Sequence, residues 1–162
     1  MNKAIILFFL STFLAAQNTT VEFVETRYIE ALNEKITKKG EAEFGANHTS
    51  IRYLPPNTRE ITLENNTITI QTKDSTMQKS IQEERELGLM LTLLEAIFKK
   101  DEAKIKSFFT VTNNTSEIVL TPIATSAHIF KIIYTSDEDK IKQIEFFFWD
   151  NSRITIDVVK KR

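Results

Sequence analysis

Ser126 and His128, two positions apart, come nearest in this chain to a nucleophile beside a base. In a strand that spacing points both side chains the same way, yet no third group and no Gly-x-Ser-x-Gly elbow orients them. Glu83-Glu84-Glu86 and Asp137-Glu138-Asp139 are the only carboxylate clusters. A solvated helix flank explains the first and a hairpin turn the second more cheaply than acid–base work or a bound Ca²⁺. The chain has no cysteine, so it has no thiol nucleophile, disulfide framework or zinc ribbon. His48 and His128 are too far apart for a paired-histidine metal motif, and Gly40, Gly45 and Gly88 spell neither a GxGxxG nor a phosphate loop. These residues predict no catalytic site, no metal and no cofactor.

Binding is the remaining chemistry, and composition narrows its kind. Lys and Arg total 21 against 22 Asp and Glu, so no phosphate-tracking surface is expected and nucleic acid is excluded as a partner. Twenty Ile, twenty Thr and six Val make the 162 residues rich in β-branched side chains, which favour a pleated surface. One run stands apart from simple alternation. Phe146-Phe147-Phe148-Trp149 places rings on both faces of a single strand, so one face packs in a core and the other is covered or lines an apolar cavity.

The elements that must position such a face follow from periodicity. Segment 21–39 carries Val21, Val24, Tyr28, Ala31 and Leu32 at helical spacing and on pattern alone reads as a helix. From Gly40 the period becomes two. Ala42 and Phe44, Ile51 and Tyr53, Ile61 and Leu63, and Ile68 and Ile70 predict four short strands in a meander, with a turn or bulge at Pro55-Pro56. Segment 81–99 returns to helical spacing, with Leu87, Met90, Leu91, Leu94 and Phe98 on one stripe. Asp101 reads as the N-cap of a second short helix carrying Ile105 and closed by Phe108 and Phe109.

Beyond 116 the alternation resumes. Ile118 and Leu120 precede a break at Pro122, and three hairpin-joined strands follow, carrying Phe130, Ile132 and Tyr134, then Ile144, Phe146 and Phe148, then Ile154, Ile156 and Val158. Asn65-Asn66 and Asn113-Asn114 fall in Asn-x-Ser/Thr triplets and are read as turns, since Asn tolerates the left-handed region. Strands, a helical pair, then strands predict an α+β domain with the helices on one face of an antiparallel sheet.

Residues 1–16 start with Lys3, continue as an apolar run from Ala4 to Leu14, and end at Ala15-Ala16. This is the layout of a secretory signal peptide, too short to span a bilayer, which needs ~20 apolar residues. Cleavage after Ala16 is expected, leaving 17–162 as one domain outside the cytoplasm.

Residues 118–159 resemble the C-terminal strands of the LolA family of periplasmic lipoprotein carriers. Leu120-Thr121-Pro122 stands in the family's Leu-x-Pro place and Asp150-Asn151 in its last turn. Residues 23–44 look like the opening Phe-x-(Gln/Glu)-x-(Arg/Lys) strand, through Phe23, Glu25 and Arg27, and residues 87–109 are similar to the central helical element. The resemblance implies a strand rather than a helix at 21–32. It also implies an unclosed antiparallel β-barrel, a strongly curved sheet with a helical lid over its apolar concave face. The family's gating Arg beside a Pro is not matched in the stretch "FGANHTSIRY", so no gating role is carried onto His48 or Arg52.

What the resemblance implies for function is a periplasmic carrier that holds acyl chains and moves them towards the outer membrane. Its partners would be acylated lipoprotein or lipid cargo, an inner-membrane releasing complex and an outer-membrane acceptor, and the carrier itself a monomer. The expected cavity lining is Phe44, Tyr53, Ile61, Leu63, Ile70, Ile132, Phe146 and Phe148 from inward strand positions, with Met90, Leu91 and Leu94 from the lid. The alternative is a non-catalytic envelope sensor or interaction module on the same fold.

Overall fold

The computed structural model describes residues 18–124, 128–138 and 140–161. The predicted signal peptide, Ser126 and Asp139 lie outside these described residues. Eleven strands form one antiparallel sheet: β1 (Thr19–Ile29), β2 (Glu34–Phe44), β3 (His48–Tyr53), β4 (Arg59–Glu64), β5 (Thr67–Thr72), β6 (Thr76–Ser80), β7 (Phe109–Asn113), β8 (Glu117–Pro122), β9 (Ile129–Asp137), β10 (Lys140–Phe148) and β11 (Arg153–Lys161). Their spatial order is β6-β5-β4-β3-β2-β1-β11-β10-β9-β8-β7, so the first and last strands meet at the centre and the edges never pair. Two helices, α1 (Arg85–Lys99) and α2 (Glu102–Phe108), connect the two edges, and α1 packs on β2 and β3. The result is an unclosed, curved sheet with a helical lid.

The helical pattern at 21–39 is not realised. Val21, Phe23, Glu25 and Arg27 alternate inward along β1, each paired on one side with β2 and on the other with β11. Pairing over eleven residues with β2 and eight with β11 outweighs a helical preference that is only weakly encoded. A 3-10 turn (Glu30–Leu32) and Asn33, in the left-handed region at φ 49°, then reverse the chain into β2.

Two further strands emerge beyond those periodicity predicts. β6 is polar and pairs only with β5, and β7 begins at Phe109, which opens a strand instead of closing the helix. β6 carries little apolar alternation, and the short Phe109/Val111 alternation of β7 follows directly on the helix, so periodicity passes over both. Elsewhere the local chemistry is direct. The Asp101 side chain accepts from the Lys104 amide and caps α2, and Asn65 and Asn66 both take positive φ in the β4–β5 turn.

The helix is apolar on more than one stripe because it serves two packings. Leu91, Leu94 and Phe98 face the cavity over β1–β4, while Leu93, Ala96 and Ile97 are also buried in the common core. Phe98 stacks on Phe44 with ring centroids 4.9 Å apart and planes 18° off parallel. Gly88 lets Ile81 close on the helix, since a Cβ there would lie 2.3 Å from Ile81 Cγ1.

Candidate functional site

Under α1, the inward faces of β1–β4 and the ends of β10 and β11 line a partly open cavity of about 240 Å³. The lid contributes Leu87, Met90, Leu91, Leu94 and Phe98, the same five residues as the helical stripe in the sequence. The sheet contributes Phe44, Tyr53, Ile61 and Phe148, with Val21, Phe23, Ala42, Ile51, Ile154 and Ile156.

Of the expected lining, the structure therefore brings together Phe44, Tyr53, Ile61, Met90, Leu91, Leu94 and Phe148. It does not bring Leu63, Ile70, Ile132 or Phe146 to the cavity. Phe146 and Ile132 are a cross-strand pair, fully buried in the core. Leu63 and Ile70 pack on the core from β4 and β5. Inward alternation marks a face, whereas only the position of the lid decides which part of it stays unfilled.

The cavity is graded along β1. Its inward residues run Val21, Phe23, Glu25, Arg27 in two-residue steps, spanning ~20 Å at about 3.3 Å per residue. The first half is apolar, closed by Ala42, Phe44, Ile51 and Phe98. The second half is charged. Glu25 is only 5 % exposed, and its Oε2 accepts a 2.5 Å hydrogen bond from the Tyr53 hydroxyl. Arg27 Nη2 lies 3.8 Å from Glu25 Oε1. Arg59 and Lys38 stand over the Tyr53 ring, at 5.3 and 5.4 Å from its centroid. Burial, then the Glu25 charge, pushes the Tyr53 hydroxyl well above its ordinary 10.0.

Periodicity passes over Glu25, Arg27 and Arg59 because charged residues at inward positions contradict the alternation that identifies a strand. The signal was the Phe23-x-Glu25-x-Arg27 spacing, which puts all three on one face once the segment is extended.

Two polar contacts hold the ends of the lid to the sheet. At its C-terminal end Lys99 Nζ donates to the Gly45 carbonyl of the β2–β3 turn and to Glu95 Oε1, and Lys104 Nζ donates to Glu95 Oε2 at 2.8 Å. Burial works to raise the Glu95 carboxyl, but the two lysines outweigh it and hold it below the usual carboxylate range. At the N-terminal end Glu84 pairs with Lys79 of β6. Arg52 and His48 have no part in this. Arg52 pairs with Glu41, and His48 Nε2 lies 3.5 Å from Glu43.

In the acidic clusters Glu83, Glu84 and Asp137 have local partners, whereas Glu86 Oε1 is buried without one. Glu83 accepts from the Ser80 amide and hydroxyl, which hold its carboxyl below the usual range. Asp137 lies 3.8 Å from Lys142 Nζ. Among the described residues no three His, Asp or Glu side chains gather as a metal site.

A shallower groove of about 490 Å³ adjoins the charged end and shares Arg27, Glu86, Phe148 and Ile154 with the cavity. His128 lies in it, its Nδ1 3.4 Å from Glu86 Oε2. Outside the cavity, Trp149 is 70 % exposed and packs on Phe130 at 4.8 Å, Phe130 lies 6.3 Å from Phe147, and Lys131 Nζ sits 4.4 Å over the Phe147 ring. One face of the aromatic run thus takes Phe146 into the core and Phe148 to the cavity, while the other carries Phe147 and Trp149 outside the cavity.

No protein-family model matches the chain, and no curated protein matches it. Solved structures do. A LolA superfamily protein from Nitrosomonas europaea is 8% identical, with 91% of this chain and 86% of that one covered at a TM-score of 0.46. An outer membrane lipoprotein-sorting protein domain from Vibrio parahaemolyticus is 6% identical, with 90% and 84% covered at 0.48. The MucA/MucB complex of Pseudomonas aeruginosa matches at 11% identity, with 91% of this chain and 52% of that one covered at 0.48. At such identities and scores these similarities decide nothing about activity.

Proposed function

We propose that this chain is a non-catalytic carrier that binds acyl chains of a lipoprotein or another envelope lipid beneath its helical lid. The observation that supports this is the unfilled apolar cavity between α1 and the sheet, lined by Phe44, Ile61, Leu91, Leu94 and Phe98. Exposing an acyl chain to water costs roughly 0.8 kcal/mol per methylene, which an apolar cavity offsets while the cargo crosses an aqueous compartment. The signal-peptide layout of residues 1–16 supports delivery to the periplasm, with a membrane-bound donor and acceptor at either side. At about 240 Å³ the cavity lies below the about 300–1,000 Å³ of drug-sized pockets and is partly open to solvent, so a long acyl chain extends beyond it unless the lid moves outward.

Native mass spectrometry and lipid extraction of the protein purified from its own envelope test this. A stoichiometric acylated species, lost on Leu91→Glu, is expected. A clean apo mass with no uptake of an apolar fluorescent probe would sink it. In that event the second reading, an envelope interaction module, gains from the exposed Trp149–Phe130 pair, which lies outside the cavity and suits a partner surface.

A further inference from the structure

Exposed apolar side chains are not spread evenly over this molecule. Among the described residues Leu32, Leu54, Phe108, Ile123 and Trp149 stand out into solvent, and all five lie in turns or at element junctions. Antiparallel alternation gathers these connections, β1–β2, β3–β4, α2–β7, β8–β9 and β10–β11, at one end of the sheet. Backbone groups join them there. The Ile123 amide donates to the Phe108 carbonyl at 3.0 Å, the Trp149 amide to the His128 carbonyl at 3.0 Å, and the Glu30 amide to Ser152 Oγ at 3.4 Å. The opposite end is built differently. Its turns include Gly45-Ala46-Asn47, Asn65-Asn66 and Asn114-Thr115-Ser116, none with a large apolar side chain. The other exposed large apolar residues, Ile36, Met77 and Val159, lie within strands.

The apolar end is also where the cavity opens. Glu86, at the N-terminal end of the lid, lies beside His128, whereas Lys99 ties the far end of the lid to Gly45. The groove of about 490 Å³ that continues from the cavity through Arg27, Glu86, Phe148 and Ile154 is lined further out by Trp149.

We infer that this end is a membrane-docking rim, which seats on a lipid bilayer by inserting Leu32, Leu54, Ile123 and Trp149 among the head groups, so that cargo passes between cavity and bilayer along the Trp149 groove. This rests on the lipid-binding reading above and adds the surface through which cargo enters and leaves. Continuity with the cavity favours a bilayer as the occupant, because an acyl chain in the groove meets water unless the groove opens against an apolar phase. The layout favours it too. The side chains stand singly on separate turns around the opening, which head groups can close around, whereas a stable protein partner needs a continuous packed patch of about 800 Å² per side. Tryptophan is suited to the boundary between head groups and acyl chains. Charges at this end have both signs, with Glu30 and Asp150 near Lys35 and Arg153, so apolar insertion carries the binding and anionic lipid is not required.

The test is binding of the purified protein to vesicles of zwitterionic phosphatidylcholine. Trp149 is the only tryptophan, so its emission reports this end alone. Vesicles should move that emission to shorter wavelength, and the protein should sediment with them equally at low and high salt. Leu32→Asp with Ile123→Asp should lower the partition coefficient by about tenfold or more, while uptake of an apolar dye by the vesicle-free protein stays unchanged. Val159→Asp, late in β11 at the other end of the sheet, should alter neither. Dye uptake with no emission shift and no sedimentation overturns the docking rim, leaves the carrier reading standing and points to a protein acceptor at this end. Binding that needs anionic lipid and is lost in salt, or that survives the double substitution, overturns the rim as well. Absence of dye uptake overturns the carrier reading on which the cargo path rests.

Discussion

Tyr53 reaches across β2 to donate a 2.5 Å hydrogen bond to the buried Glu25, and Gly40 is what lets it pass. In the sheet register Gly40 is paired with Phe23 on one side and with Tyr53 on the other. The two rings meet edge to face over it, 5.9 Å apart and 85° inclined. A Cβ at Gly40 would stand 2.6 Å from Phe23 Cζ and 2.8 Å from the Arg52 carbonyl. Gly40→Ala should therefore destabilise the fold by about 1–3 kcal/mol through overpacking, read as a lower urea midpoint. An unchanged midpoint would show that the rings have room to shift.

Tyr53→Phe leaves the Glu25 carboxylate buried without its donor. A loss of about 1–3 kcal/mol is expected, and the Glu25→Gln, Tyr53→Phe double variant should lose less than the sum of the singles. Additive losses in the denaturation cycle would contradict direct coupling.

The same pair predicts an alkaline limit. The Tyr53 hydroxyl ionises less readily folded than unfolded, where its value is 10.0, because of burial first and the Glu25 charge second. Stability from this group is complete below that value and falls as pH rises above it, since the unfolded chain then releases the proton that the fold retains. Tyr53→Phe should flatten the decline in stability above pH 10, measured as urea midpoint against pH.

Phe98 closes the apolar end of the cavity by stacking on Phe44. Phe98→Ala should cost about 3–5 kcal/mol and enlarge the cavity. Calorimetry checks the first, and increased uptake of an apolar fluorescent dye checks the second.

Lys99 ties the C-terminal end of the lid to the Gly45 carbonyl. It is partly exposed, so Lys99→Ala should change stability by no more than about 1 kcal/mol while speeding stopped-flow uptake of the dye. An unaltered uptake rate would place the opening motion elsewhere on the lid.

Local rules made much of the framework legible. The two-residue alternation from Ala42 to Ile70 and from Ile118 to Val158 marks strands because a pleat alternates its faces. The stripe from Leu87 to Phe98 marks a helix with one cavity-facing side, and Asp101 and Asn65-Asn66 mark a cap and a turn through their own backbone bonding. Composition by itself set aside thiol, nucleotide-loop and paired-histidine chemistry. Tertiary structure alone decided the rest. Segment 21–29 is a strand because β2 and β11 hydrogen-bond it on both sides, and β11 arrives there from more than a hundred residues away. Ile132 and Phe146 became core while Phe44 and Phe148 became lining, because the placement of α1 leaves space over one part of the sheet only. Glu25, Arg27, Lys38 and Arg59 became one cluster because the sheet register sets β1, β2 and β4 across Tyr53. Period-two patterning fixes which face a residue takes, whereas long-range pairing fixes its neighbours, and the cavity's polarity is a property of those neighbours.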